Sequence, residues 1–323
     1  MTLPLEDVQS RVPTLSLSLS RVGVTNVEKV IRIGNELFSA RLDCFVDLGP
    51  RQKGAHMSRF EEVVNDAIGE VVLGESAFRA ETLAAHIAEK VRDRQDALRA
   101  EVHIEARYPE HKPAPVSGIQ TQEIYSLLGA AVASEAGTRR LIGVRAQGMT
   151  ACPCAQTLVE ARSRERLVED GFSDEQIERI FEHVPVATHN QRGLGTLHIG
   201  CPETCQTDID AQWLVDIVEQ SMSSEIYELM KRSDEGAVVE KAHRRPRFVE
   251  DCVREMIRGV VERLDFLTDQ HFVSARQENL ETIHQHNVQA ERFGLLGELR
   301  REIETGEHSL HHRSLREWLD GAD

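Results

Sequence analysis

Cys152 and His189 are the residues of this chain best suited to chemistry. They lie in the stretches Gly148-Met149-Thr150-Ala151-Cys152-Pro153-Cys154-Ala155-Gln156 and His189-Asn190-Gln191-Arg192-Gly193, which are short and polar rather than apolar helix faces. A thiolate and an imidazole together suit zinc or ferrous iron. Structural zinc sites space two thiolates by two to four residues and repeat the pair. Here a single proline separates Cys152 from Cys154, and no second Cys-x-x-Cys follows. That bite is tight for one ion, so the spacing predicts one ligand cysteine and one supporting cysteine. The plain alternative is two buried, unreactive thiols.

Carboxylates, cations and histidines gather in further stretches. These are Ser224-Glu225-Ile226-Tyr227-Glu228-Leu229-Met230-Lys231-Arg232, Val239-Glu240-Lys241-Ala242, Pro246-Arg247-Phe248-Val249-Glu250-Asp251 and Asn279-Leu280-Glu281-Thr282-Ile283-His284-Gln285-His286-Asn287. With His56-Met57-Ser58-Arg59-Phe60 and Val22-Gly23-Val24-Thr25-Asn26-Val27-Glu28-Lys29 near the start, they resemble GTP cyclohydrolase type IB, the metal-dependent enzyme at the entry to pterin and folate synthesis. The resemblance runs in order from about Asp7 to about His286.

The resemblance implies that Cys152, His189 and Glu225 hold one divalent metal per active site, Fe(II), Mn(II) or Zn(II), with a fourth position left for water or substrate. It implies that Glu240 faces the guanine, accepting hydrogen bonds from the ring N–H and the exocyclic amine. It assigns Glu281 and His284 to catalysis, an imidazole being the usual proton shuttle near neutral pH; His286 is a neighbour that would orient it. His56, Arg59 and Lys53 surround an expected helix start, where an N-terminus with flanking cations cradles phosphate. Arg192, Lys231 and Arg232 would close that cradle from other directions.

The expected reaction is hydrolysis of GTP at C8 with release of formate, giving 7,8-dihydroneopterin triphosphate. Archaeal relatives with a longer insert form the 2′,3′-cyclic phosphate, and the charged segment Leu158 to His183 resembles that insert. No residue that would align the α-phosphate with the ribose is identifiable, so the triphosphate is the expected product. Competing readings are a nitrile reductase of the same fold with a cysteine nucleophile, and a non-catalytic purine- or metal-binding scaffold.

The elements that must position these residues follow from hydrophobic periodicity. Leu15, Leu17 and Leu19 alternate with serines, and Phe38 to Leu48 alternates too, so both read as strands. Ser58 reads as an N-cap, with Phe60, Val63, Val64, Ile68 and Val71 at helical spacing, then Leu83, Ile87 and Val91. A strand follows at Glu101 to Tyr108, a helix at Ile124 to Ala136 and a strand at Leu141 to Ala151. Beyond the insert come a strand at Gly195 to Gly200, a long helix from Ala211 to Met230 that carries Glu225, and a helix from Pro246 to Leu264. Glu240 falls just before that last helix. Strands end the pattern at His271 to Gln277 and Ile283 to Gln289.

This order suggests an α+β chain of two tandem modules, residues 1–151 and 152–306, the second with the insert 158–183, followed by a tail 307–323. The resemblance implies the tunnelling fold, antiparallel sheets with helices on one face, assembled through subunit contacts. Open edge strands need partners, so a homo-oligomer is expected, a tetramer favoured.

The 323 residues, 40% of them hydrophobic, suffice for a sizeable core. A formal charge of −16 argues against a general nucleic-acid or membrane-surface role, which needs a basic face, although a local arginine cluster can still bind an anionic substrate. Of 38 basic residues only six are lysine; guanidinium suits bidentate phosphate contacts, but biased codon usage explains the same excess and is the preferred reading. No run reaches the roughly 20 apolar residues of a membrane span, and Met1 to Ser10 lacks a signal-peptide core, so a cytoplasmic protein is expected. Six cysteines are too few for a disulfide scaffold; Cys201 and Cys205 read as free loop thiols. The tail histidines His308, His311 and His312 read as part of a solvated terminus.

Overall fold

The structure, a computed structural model, describes residues 8–33, 36–72, 79–202, 209–307 and 312–321. Among these, nine strands form one antiparallel sheet: β1 (Leu19–Ile33), β2 (Glu36–Leu48), β3 (Ala100–Pro113), β4 (Gln120–Ser134), β5 (Gly137–Ala151), β6 (Asn190–Cys201), β7 (Ser224–Glu225), β8 (Phe272–Leu280) and β9 (Val288–Leu295). The strand order is β1-β2-β3-β4-β5-β6-β8-β9, with the short β7 beside β5. The helices are α1 (Met57–Val72), α2 (Ala80–Gln95), α3 (Pro153–Glu169), α4 (Asp174–His183), α5 (Ala211–Ser221), α6 (Arg232–Arg244), α7 (Val249–Arg263), α8 (Leu296–Thr305) and α9 (Leu315–Leu319). None of the described helices is long and apolar enough to cross a membrane.

Strand alternation sends one set of side chains under the helices. Ala40, Leu42, Cys44 and Val46 on β2 are buried with Phe60 and Val64 of α1, Leu83 and Ile87 of α2, Leu214 and Val218 of α5, and Met256 and Val260 of α7. Burying such a row is the main favourable term in holding helices on a sheet. On the other face the sheet is polar over much of its area. Arg41 and Arg145 both bind Glu105 there, at 3.0 Å each. A smaller cluster on that face packs Trp318 and Leu319 of α9 over Val132, Leu141 and Phe272, with the Trp318 and Phe272 rings stacked at 5.5 Å.

Several expectations are corrected. Ile124 to Ala136 is not a helix: Ile124 to Ser134 lies in β4, paired with β3 from Ala100↔Ala133 to Pro113↔Gln120, and Glu135 and Ala136 form the turn to β5. A nearly unbroken apolar run does not reveal its period, and two flanking strands decided it. The helix expected from Ala211 to Met230 stops at Ser221, and Glu225 lies on β7, paired with Gly148. The serines interrupt it: Ser221 Oγ turns back to Val218 O, and Ser223 Oγ accepts from the Ala151 amide. Glu240 stands inside α6 rather than before a helix.

Smaller differences concern element ends. Leu15 and Leu17 are exposed and precede β1, and Ser58 lies inside α1 rather than capping it. Pro246 falls before the N-cap of α7, Phe248. The segment 281–287 bends, and its strand begins only at Val288. Residues 315–319 are no solvated tail, because Trp318 is 2% exposed. Cys201 is buried; Cys205, His308 and His311 lie outside the described residues.

Candidate active site

The β5–β6 ladder runs in register from Arg140↔Cys201 to Ala151↔Asn190. One step further, the Cys152 amide donates to His189 O at 3.1 Å, and Thr188 Oγ1 donates to Cys152 O at 2.9 Å. Two residues 37 positions apart in sequence thus end adjacent strands side by side. The hairpin of α3 and α4 is the excursion between them. Pro153 occupies the first turn of α3, where its missing N–H costs nothing, and Cys152 is the extended N-cap (φ −77°, ψ 117°). Cys154, inside α3, is exposed.

His189 Nδ1 lies 3.0 Å from Gln191 Oε1, and Gln191 Nε2 donates to Glu281 Oε1 at 3.2 Å. Glu281 Oε2 is 3.9 Å from His189 Nδ1. Glu281, just past β8, is brought in because β8 pairs with β6 up to Arg192↔Leu280. The bend that follows carries His284 and His286, whose rings stack at 5.2 Å and 15°, and it is tied back by Thr282 Oγ1 donating to Asn190 O. A cavity of about 400 Å³ opens here, lined by Cys152, His189, Gln191, Glu281, His284 and His286, with Arg247, Glu250 and Asn279 among the other residues of its wall. The Arg247 guanidinium is engaged by Ser221 O and Glu255. The chain packs tightly behind this wall at Gly193, where a Cβ would sit 2.4 Å from Gln277 Nε2 and 3.0 Å from Met222 Sδ.

A second group forms around β7 and α6. Lys241 Nζ donates to Glu225 Oε2. Glu240, one residue before Lys241, is exposed and pairs with Arg244 at 2.9 Å. Lys231 caps α6 and Arg232 begins it, both exposed. The β3–β4 hairpin clamps the segment between: Glu123 Oε1 accepts from the Glu228 amide, Thr121 Oγ1 from the Leu229 amide, and Asp234 from the Val116 and Ser117 amides. Nearby, Lys112 and Tyr125 share Glu219, at 2.6 and 2.8 Å, and burial pushes the Glu219 carboxyl upward despite Lys112.

The two groups lie on different sides of β5. Gly148, the partner of Glu225, is four residues from Cys152, roughly 13 Å at about 3.3 Å per strand residue. Between them the Arg247 amide bonds Ala151 O. Among the described residues no three of His, Cys, Asp and Glu stand close enough to hold one ion. One chain therefore brings Cys152 and His189 together with Glu281 and His284, but not with Glu225 or Glu240.

The expected phosphate contacts are scattered within one chain, and none lines the cavity. His56 precedes α1, its backbone held by the Gln95 amide; Arg59 Nη1 donates to Arg94 O; Lys53 is exposed. Arg192 is exposed on the sheet face opposite Gln191, its neighbour in β6. Gln191, Arg247, Glu250 and Asn279 lie within the sequence motifs but carry no expected role there. The one available signal was the His-x-Gln spacing, which on a strand puts both side chains on one face.

The model of the family described as type I GTP cyclohydrolase folE2 matches residues 5–290. The chain belongs to that family. It is 42% identical over 308 residues to GTP cyclohydrolase MptA of Methanococcus aeolicus, covering 92% of this chain and 99% of that protein. Identity is also 42% over 308 residues to the protein of that name from Methanothermobacter thermautotrophicus, covering 92% and 96%. For the Methanocaldococcus jannaschii protein it is 40% over 307 residues, covering 92% and 97%. Among solved structures, a hyper-thermostable uricase variant superposes with a TM-score of 0.51 at 9% identity, over 93% of this chain and 97% of that one. The uricase of Arthrobacter globiformis gives 0.50 at 9%, over 90% and 96%. At such identity the likeness is one of fold.

Proposed function

We propose that this chain is a metal-dependent GTP cyclohydrolase of the type IB form, which opens the guanine ring of GTP at C8, releases formate and yields 7,8-dihydroneopterin triphosphate. The observation that carries this reading is the meeting of Cys152 and His189 at the end of the β5–β6 ladder, in one cavity with Glu281 and His284. A thiol and an imidazole fit Fe(II), Mn(II) or Zn(II). The ion, when bound, supplies Lewis acidity for the hydrolysis.

One chain offers only two of the three expected ligands. In this reading Glu225 of the partner subunit completes the set in a homo-oligomer, a tetramer favoured. Glu225, Glu240, Lys231 and Arg232 all sit on the clamped β7–α6 unit, so docking one such unit over a neighbour's cavity delivers a carboxylate ligand, a guanine acceptor and phosphate contacts together. His56, Arg59, Lys53 and Arg192 are the remaining proposed triphosphate contacts. Glu281 stays beside His189, and His284, on an exposed bend, moves protons during ring opening and closure. The element order supports two tandem tunnelling-fold modules, β1–β4 with α1–α2 and β5–β9 with α5–α7. In this reading their junction falls near the β4–β5 turn.

The helical α3–α4 connection, which resembles the longer insert, favours a second reading of the product alone, the 2′,3′-cyclic phosphate. Incubation of purified protein with GTP and each divalent metal, followed by oxidation, is expected to give pterin fluorescence; none with any metal would refute the activity. Phosphorus NMR separates the products, since free pyrophosphate beside a cyclic phosphate signal selects the second. The split site is tested by co-expressing Cys152→Ala and Glu225→Ala chains, each inactive alone. Mixed oligomers are expected to regain part of the activity, and inactive mixed oligomers would place both residues in one chain's site.

A further inference from the structure

We propose that Gln191 is a positioning residue that sets the tautomer of His189 and the orientation of Glu281 through a single side-chain amide. The inference rests on the reading of His189 as a ligand and Glu281 as a catalytic residue.

The hydrogen-bond logic closes on itself. A carboxylate offers only acceptors, so the Gln191 atom 3.2 Å from Glu281 Oε1 is the amide nitrogen. That choice places the amide oxygen 3.0 Å from His189 Nδ1. An amide oxygen carries no proton, so the contact is a hydrogen bond only when Nδ1 is protonated. Glu281 Oε2, 3.9 Å from the same nitrogen, favours an N–H there as well. The neutral ring is then left with its lone pair on Nε2, the form a ligand needs.

Burial and register make this assignment rigid. Gln191 is 6% exposed, and the side chains of His189 and Glu281 are 13% and 6% exposed, so water competes poorly for these contacts. The Gln191 backbone is fixed opposite Thr150 in the β5–β6 ladder. Few other side chains do both tasks. Glutamate accepts from Nδ1–H but sets one carboxylate against another, leucine does neither, and asparagine is one methylene short.

The test uses full-length protein with ¹⁵N-labelled histidine, metal-free, about two units above the ordinary imidazole pKa. The His189 signals are assigned by their loss in His189→Asn. Wild type is expected to show His189 protonated at Nδ1 only, Gln191→Leu and Gln191→Asn to shift it toward Nε2–H, and Gln191→Glu to retain Nδ1–H. Zinc titration should show a 10- to 100-fold weaker affinity in Gln191→Leu and near wild-type affinity in Gln191→Glu. In Gln191→Glu, kcat should fall at saturating metal with KM little changed, because only Glu281 is released. An unchanged His189 tautomer in folded Gln191→Leu or Gln191→Asn, or Nε2–H in the wild type, overturns the proposal. Should Gln191→Leu fail to fold, the asparagine and glutamate variants carry the same comparison. If His189→Asn binds zinc like wild type, the ligand reading fails instead, and the tautomer result still decides the positioning role separately.

Discussion

At the end of the β5–β6 ladder, Cys152 and His189 are held by backbone hydrogen bonds and face a cavity. Across β5, Glu225 sits on the two-residue β7 paired with Gly148 and Glu240 sits on α6, and each already has a cation, Lys241 or Arg244. Register alone makes the meeting of Cys152 and His189 precise, because a strand pair fixes which residues meet. The second group is built on a two-residue strand and a helix, clamped by Thr121, Glu123 and Asp234 of other elements or of α6 itself. Its carboxylates are charge-compensated by Lys241 and Arg244. Under the proposed function, the difference teaches that ligand geometry and substrate recognition would be entrusted to different kinds of scaffold, each half completed by the other.

The largest effect should break the first group alone. Cys152→Ala is expected to lose bound metal and turnover by more than the 10- to 100-fold that loss of an outer-shell partner costs. Cys154→Ala, at an exposed position on α3, should keep both. Elemental analysis of the two purified variants decides this, and equal metal loss would show that the thiols act as a pair.

A smaller effect is expected in the second group. Glu240→Gln should weaken GTP binding by about 1–3 kcal/mol, the cost of opposing a donor with a donor, and leave metal content unchanged. Calorimetric titration of GTP measures it. Unchanged affinity would remove Glu240 from the substrate and leave Glu281 or Glu250, both on the cavity wall, as the guanine acceptor.

The smallest effect provides a control on the sheet face away from the helices. Burial pushes the His198 imidazole from 6.5 down to about 4, with Arg145 and His103 adding to it. The unfolded chain therefore binds a proton that the folded chain resists. Stability contributed by neutral His198 is full above pH 6.5 and is lost as pH falls from 6.5 to about 4. Allowing for the partial exposure of this side chain, the loss is about 1–2 kcal/mol. Urea denaturation across that interval should show a shallower slope in His198→Gln, with metal content unchanged. A slope identical to wild type would mean that another group carries the acid sensitivity.

Much of the scaffold was legible along the chain. Phe60, Val63 and Val64, then Leu83, Ile87 and Val91, recur at helical spacing and are buried on α1 and α2. The alternation from Phe38 to Leu48 is β2. Residues whose periodicity was ambiguous were not legible. The run around Ile124 to Ala136 is apolar on both faces, and only the two strands beside it made it β4. The helix through Ala211 ended where serines found backbone partners on β5 and in its own last turn, an outcome that local propensity does not contain.

Sequence alone determined which chemical groups are present and on which kinds of segment they sit: a soft thiol before a proline, a histidine two residues from a glutamine, and acids grouped near lysines and arginines. Those properties are local, set by residue type and by spacing along the backbone. The tertiary structure decided which groups meet. Strand register placed Cys152 beside His189 across a helical excursion, and β6–β8 pairing brought Glu281 to Gln191. The same sheet set Glu225 on the other side of β5, beside Gly148. Contacts of this kind depend on hydrogen-bonded ladders closed between distant segments, whose energy no single segment holds, so they were settled only when the whole sheet assembled.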